Sequence, residues 1–372
     1  MNVLYDHQVF EFQNIGGISR YFAELLKQNP MAQLSLKYSD NVYLQEEYFA
    51  SYEILPKKHA SNSFLPGLNF KGKGKLAKCY TRLFKKNNIS ESIKKIKNLN
   101  YNVFHPTYYE PYFLNHLNGK PFTLTVHDMI HEIFPQYFSN DKTTVSNKRC
   151  LISQANSIIA ISENTKKDIL RFFPDTANKI KTIYHGSSFQ EIDNNSEKGA
   201  FILFTGLRGA YKNFVIFVQA VAPLLKKYNL RLFCSGRPFT SEEEDLLNHL
   251  QISDRTTCKL TTDNELCQLY SNALAFVFPS LYEGFGIPVL EAFSAGCPAI
   301  LSNASSLPEV GGDAAVYFDP YSLDDISHKI EQVIASPSLQ KLMVKKGKEQ
   351  LKQFSWRKCA EETIEVYKNL LC

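Results

Sequence analysis

At 372 residues the chain is long enough for two domains with separate cores, and its 44% apolar and 21% charged residues exclude a disordered or fibrous protein. No apolar run reaches the length of a membrane span, eight scattered cysteines form no CxxC pair or zinc spacing, and a net charge of +5 without a reader motif argues against nucleic acid as a partner. The first residues, MNVLYDHQVF, lack a charged-then-apolar leader pattern, so a cytoplasmic protein with reduced thiols is expected.

The first half alternates apolar strands with amphipathic helices, the pattern of a parallel sheet covered on both faces. Asn2–Tyr5 reads as a strand, Gly16-Gly17 as a turn and Ile18–Lys27 as a helix in which Tyr21, Phe22, Leu25 and Leu26 recur at helical spacing. From Lys57 to Lys97 lysines crowd together, Glu91 is the only acidic residue, and Phe64, Leu68, Phe70 and Phe84 are interleaved. One reading is a surface for peripheral contact with an anionic membrane or a lipid diphosphate. The other is a solvated loop and helix whose lysine stems cover apolar surface. Asn102–Phe104, Phe122–Val126 and Ser157–Ile161 follow as strands. The last two run into His127-Asp128 and Ser162-Glu163-Asn164, and ligands bind at the carboxyl ends of strands in open α/β sheets.

Lys179–Tyr184 is predicted as the last strand of this half, and the polar stretch Gln190–Lys198 as the boundary between domains. Strands then recur at Ala200–Phe204, Arg231–Cys234, Leu274–Phe278, Ala299–Leu301 and Ala315–Phe318. Between them Val215–Tyr228, Glu242–Leu250, Asp263–Asn272, Asp324–Ala335 and Gln340–Gln353 read as helices. The strand at Leu274–Phe278 opens the most informative stretch, Tyr282-Glu283-Gly284-Phe285-Gly286-Ile287-Pro288-Val289-Leu290-Glu291-Ala292-Phe293. Pro288 suits the first helical position, Gly296 the helix stop, and the free amides of Val289 and Leu290 are expected to hold an anion at the positive end of the helix dipole. Gly284 and Gly286 let a ligand approach the backbone. Glu283 and Glu291 flank this anion site, so both are expected to accept hydrogen bonds from hydroxyls, one from a sugar and one from a ribose.

The Glu-x7-Glu spacing in EGFGIPVLEAF resembles the signature of the retaining glycosyltransferases with two Rossmann-like domains, the GT-B fold, and of glycosyltransferase family 4 in particular. Phe204-Thr205-Gly206-Leu207-Arg208-Gly209-Ala210-Tyr211-Lys212-Asn213 is similar to the family's opening of the second domain. Ala160–Ile169, Ile183-Tyr184-His185-Gly186, Val126-His127-Asp128 and Ile15–Arg20 resemble further family segments in the same order. The resemblance covers nearly the whole chain and is weakest between about Ser35 and Asn100.

The resemblance implies α/β architecture with two Rossmann-like domains facing a central cleft. An acceptor-binding domain would occupy residues 1–187, a nucleotide-sugar domain 188–355, and a helix from 356 to 372 would cross back to the first. It implies retaining transfer of a hexosyl unit from a GDP- or UDP-linked sugar to a glycan or lipid-linked glycan in cell-surface polysaccharide synthesis, at the inner face of the membrane. Catalytic roles fall to His127, Glu283, Arg208 and Lys212. The donor sugar nucleotide would be held by Gly16, Gly17, Arg208, Lys212, Glu283, Gly284, Phe285, Gly286, Val289, Leu290 and Glu291. Arg208 and Lys212 would grip the diphosphate, although the family spacing between them is often one residue longer. No metal and no cofactor are expected. His105, His131 and Glu132 are placed on the acceptor side, and Glu309 is read as structural. A sugar-nucleotide epimerase on the same architecture and a non-catalytic nucleotide-sugar-binding subunit are the alternatives.

Overall fold

The computed structural model describes residues 1–57, 73–98, 100–139, 141–187, 189 and 198–371. The basic stretch 58–72 and all but the last residue of the predicted boundary Gln190–Lys198 lie outside the described residues, as do the side chains of 73–81.

Short apolar runs become parallel strands because both faces of the sheet are covered by helices. In the first domain β1 (Val3–Tyr5), β2 (Ala32–Leu34) and β3 (Val103–His105) pair in the order β2-β1-β3. A second set, β4 (Thr123–Val126), β5 (Ser157–Ala160) and β6 (Ile180–Thr182), pairs β4-β5-β6, and a parallel bridge from Phe104 to Phe122 joins the two sets. The second domain has one parallel sheet of β7 (Phe201–Thr205), β8 (Arg231–Ser235), β9 (Thr256–Lys259), β10 (Ala275–Phe278), β11 (Ala299–Ser302) and β12 (Val316–Phe318). Its order, β12-β11-β10-β7-β8-β9, reverses direction between β7 and β10, and a crevice opens at such a switch point.

Each sheet carries its own apolar core. Val3, Tyr5, Phe10, Phe22 and Val103 belong to one face of the first sheet, and Phe104, Leu124, Val126 and Ile158 to the other. Phe204, Phe217, Val221 and Leu232 pack on one face of the second sheet, and Phe276, Leu290, Phe293 and Leu301 on the other. The last helix, Trp356–Asn369, lies in the first domain's core through Trp356, Cys359, Val366 and Tyr367, and the Tyr367 hydroxyl meets that of Tyr5 at 2.7 Å.

The two domains are in contact along the glycine loop. Ser162 and Thr165 donate to the Gly284 carbonyl at 2.7 and 3.2 Å, and Tyr282 donates to Asp168 at 2.7 Å. Glu309 of the second domain accepts from the backbone amides of Glu163 and Asn164 at 2.6 and 3.1 Å. A carboxylate there satisfies the first amides of helix Glu163–Phe172 and its dipole.

Candidate active site

Between the sheets lies a cavity of about 350 Å³ lined by Gly17, Ile18, His127, Asp128, His185, Thr205, Gly206, Tyr211, Lys212 and the loop Glu283–Pro288. Its floor is the turn after β10. Gly286 takes φ 109°, a conformation open to glycine, and helix Ile287–Ser294 starts directly after it. Gly284 is required for another reason: a Cβ there would sit 1.9 Å from the His127 carbonyl oxygen, so the first domain's backbone rests on this residue. The loop's carbonyls are occupied. Ser306 donates to those of Glu283 and Phe285 at 2.9 and 2.8 Å, and Ser162 holds that of Gly284. No hydrogen bond to the amides of Gly284, Phe285 or Gly286 occurs among the described residues, and these N–H groups lie where an anion or a sugar hydroxyl can accept from them.

The helix start corrects one sequence expectation. Ile287, not Pro288, is the first helical residue, and the Val289 amide already donates to the Gly286 carbonyl at 2.9 Å. Val289 and Leu290 are fully buried core residues and do not line the cavity. The Glu283 amide donates to the Ser305 hydroxyl at 2.8 Å, so the loop amides without a partner among the described residues are those just before the helix, Gly284 to Gly286.

Lys212 and Glu283 meet in the cavity lining, with Nζ 2.6 Å from Oε1. Lys212 reaches in from a turn at Asn213, which takes φ 58° and whose side-chain Nδ2 donates to the Pro320 carbonyl at 2.7 Å. Burial pulls the ammonium toward neutrality, but Glu283, Tyr211 and Asp128 together keep its pKa above the ordinary lysine value. The ammonium of Lys212 is thus kept charged beside the Glu283 carboxylate.

Arg208 is not beside Lys212. It turns away from the cavity, with Nε donating to Glu243 at 2.9 Å and Nη2 to the carbonyls of Arg237 and Pro238 at 2.8 Å. It lines a neighbouring cavity of about 470 Å³ that shares Gly206 and Tyr211 with the cleft. Glu243 is held in turn by the capping box it forms with Thr240, a local feature of helix Ser241–His249.

Glu291 lies behind the loop, buried, accepting from the Tyr270 hydroxyl at 3.3 Å with Arg20 Nη1 at 3.9 Å. Burial raises its pKa to about 7 despite Arg20 and Tyr270, which favour the carboxylate. Arg20 comes from helix Gly17–Gln28 of the first domain and also pairs with Asp263 of the second. Gly17 begins that helix at the cavity wall, whereas Gly16 stands one residue back against the Gln13 side chain and is not part of the wall.

His127 follows directly on β4, with its side chain buried and Nε2 without a hydrogen-bond partner among the described residues. Burial first, then His185, His105 and Lys148, hold its pKa well below the usual value, so it is neutral. Lys148, fully buried, fixes the following turn through the Asp128 carbonyl at 3.1 Å and Glu132 at 3.0 Å. The expectation that His105 and Glu132 face an acceptor is corrected: His105 is wholly buried between the Tyr367 and Thr125 hydroxyls at 2.6 and 2.9 Å, and Glu132 is the partner of Lys148. His185 was visible in the sequence only as part of a matched segment, yet it lines the cavity.

Residues 187–350 match the family described as Glycosyl transferases group 1, and residues 74–189 match Glycosyltransferase Family 4. The O-antigen chain mannosyltransferase B of Escherichia coli is 31% identical over 292 residues, 72% of this chain and 74% of the relative. In shape, the HepE protein of Anabaena in complex with UDP and glucose superposes with TM-score 0.73 at 15% identity, covering 99% of both chains. Sucrose-phosphate synthase of Thermosynechococcus elongatus superposes with TM-score 0.73 at 18% identity over 99% of this chain and 98% of that one. These structures carry the two-domain GT-B architecture.

Proposed function

Because the chain belongs to the group 1 glycosyl transferases of family 4, we propose that it transfers a hexosyl unit from a GDP- or UDP-linked sugar to a glycan acceptor with retention of configuration. Its similarity to an O-antigen mannosyltransferase favours mannose as the sugar and a lipid-linked surface glycan as the acceptor.

The observation that carries this reading is the Lys212–Glu283 pair at the mouth of the glycine loop, 2.6 Å apart in a cleft between two domains. A bound donor separates the pair by giving each a better partner. Lys212 meets the diphosphate, and Glu283 accepts from sugar hydroxyls beside the loop amides. As the anomeric bond lengthens, negative charge grows on the departing diphosphate, and Lys212 with the loop N–H groups stabilises it. Neutral His127 hydrogen-bonds the sugar from the opposite wall. Glu291 takes the ribose, which requires Arg20 to yield part of its contact. Arg208 joins the diphosphate only if it leaves Glu243. Retention follows from attack on the donor's own face, with a donor phosphate oxygen accepting the acceptor's proton.

The acceptor belongs on the first domain. Beside it, helix Lys73–Lys97 carries exposed Leu83, Lys85 and Lys86, which supports peripheral contact with an anionic membrane. No helix among the described residues is long and apolar enough to cross a membrane.

A thermal-shift panel of GDP-mannose, UDP-glucose, UDP-N-acetylglucosamine and the free nucleotides tests the donor assignment. A true donor at a hundred times its dissociation constant adds about 2.7 kcal/mol to folding stability. Equal silence from all of them counts against it.

A further inference from the structure

His185 stands in the segment that leaves β6 for the second domain, and its imidazole is held by its faces. Tyr21 stacks on it at 4.8 Å and 18°, Phe285 lies at 4.9 Å and Trp356 at 5.4 Å. These three rings come from the first domain, the glycine loop and the last helix. Gly186 fixes the backbone behind the ring, because a Cβ there would lie 2.2 Å from the Trp356 amide nitrogen. The ring is 3% exposed, and neither Nδ1 nor Nε2 meets a hydrogen-bond partner among the described residues. Yet the residue lines the cleft beside Lys212 and Glu283, with the His127 ring 6.5 Å away.

A ring kept only for packing has no use for two buried, unpaired nitrogens. Phenylalanine would fill the same stack without the cost of desolvating them. Burial lowers the His185 pKa to about 3, so the ring is neutral, with one nitrogen donating and the other accepting. A phosphate would use only the donor and already has Lys212. A sugar hydroxyl both donates and accepts, and so can use either nitrogen.

We propose that His185 hydrogen-bonds a hydroxyl of the transferred sugar and thereby selects it, a role that rests on the nucleotide-sugar reading of the cleft.

The test compares wild type with His185→Phe, which keeps the aromatic stack and removes both nitrogens. Calorimetric titration with GDP and GDP-mannose, and with UDP and UDP-glucose, separates the sugar from the nucleotide. The expected result is a free variant at least as thermostable as wild type. Its affinity for the free nucleotide stays within about twofold, while its affinity for the nucleotide sugar falls about tenfold. Imidazole 15N spectra of the wild type give a second readout that needs no variant: the His185 nitrogens shift with the nucleotide sugar and not with the nucleotide alone. An equal loss for nucleotide and nucleotide sugar, or no loss and no 15N shift, overturns the role of His185 while leaving the donor assignment intact. Wild type that binds neither nucleotide sugar overturns both.

Discussion

Replacing Lys212 with methionine keeps most of the side chain's length and removes its charge, leaving Glu283 facing the cleft without its partner. At 2.6 Å and an effective dielectric near 20, the gross attraction between the two charges is about 6 kcal/mol. Much of this is offset by the desolvation of both groups, and removing one partner of a buried pair costs about 3–5 kcal/mol net. The lysine and glutamate side chains are 16% and 13% exposed, so the lower end, about 3 kcal/mol, is expected. Urea denaturation measures this loss directly. In the double variant Lys212→Met/Glu283→Gln no charge is stranded, and most of the stability returns. Transfer activity follows a different pattern. Loss of a group that stabilises the departing diphosphate lowers kcat by about 10²–10³, and the double variant does not recover it. A Lys212→Met protein that transfers within about threefold of wild type refutes the diphosphate role. Additive stability losses in the double variant refute the coupling.

The Glu291→Gln substitution tests the buried carboxyl behind the loop. With a folded pKa of about 7 against an ordinary 4.5, the folded state keeps a proton that the unfolded chain gives up. Stability therefore falls as pH rises from about 4.5 to 7 and levels off above, by roughly 3 kcal/mol in all. The glutamine variant lacks this decline relative to wild type, and parallel denaturation curves at pH 5 and pH 8 would count against the assignment. Arg20→Met removes the cation that partly offsets that burial, so its cost is greater at pH 8, where Glu291 is ionised, than at pH 5.5. Equal costs at the two pH values would contradict the contact. Gly284→Ala places a methyl 1.9 Å from the His127 carbonyl and forces the domains apart at the loop. Activity is expected to fall at least a hundredfold with a larger radius of gyration by small-angle scattering, and an unchanged radius would argue against this contact between the domains.

The sequence made the sheets legible because their strands are short apolar runs ending at polar residues, and the helix at Asp263–Asn272 was placed to the residue. It missed β2 at Ala32–Leu34 and β9 at Thr256–Lys259, whose mixed residues give no clear apolar run on edge strands. The glycine loop was legible as a strand, turn and helix start, but its register was not. Pro288 is tolerated at either of the first two helical positions, and only the backbone turn at Gly286 selects Ile287 as the start. Arg208 and Lys212, four apart in sequence, face different cavities because Arg208 is captured by Glu243, a partner 35 residues away. Long-range pairs of this kind leave no periodic trace. The contact of Arg20 with Glu291 is invisible for the same reason, and so are the unpaired nitrogens of His185, since a lack of partners is visible only once the surroundings are built.

Sugar transfer with retention in this cleft is decided by NMR of the reaction product. Protein, GDP-mannose or UDP-glucose and a mannose-terminated oligosaccharide are incubated, and the anomeric coupling of the new linkage is recorded alongside release of nucleoside diphosphate. The expected result is an α-linked product from an α-linked donor, with nucleotide released only when the oligosaccharide is present. A β-linked product, or an epimerised nucleotide sugar formed without any acceptor, would contradict it.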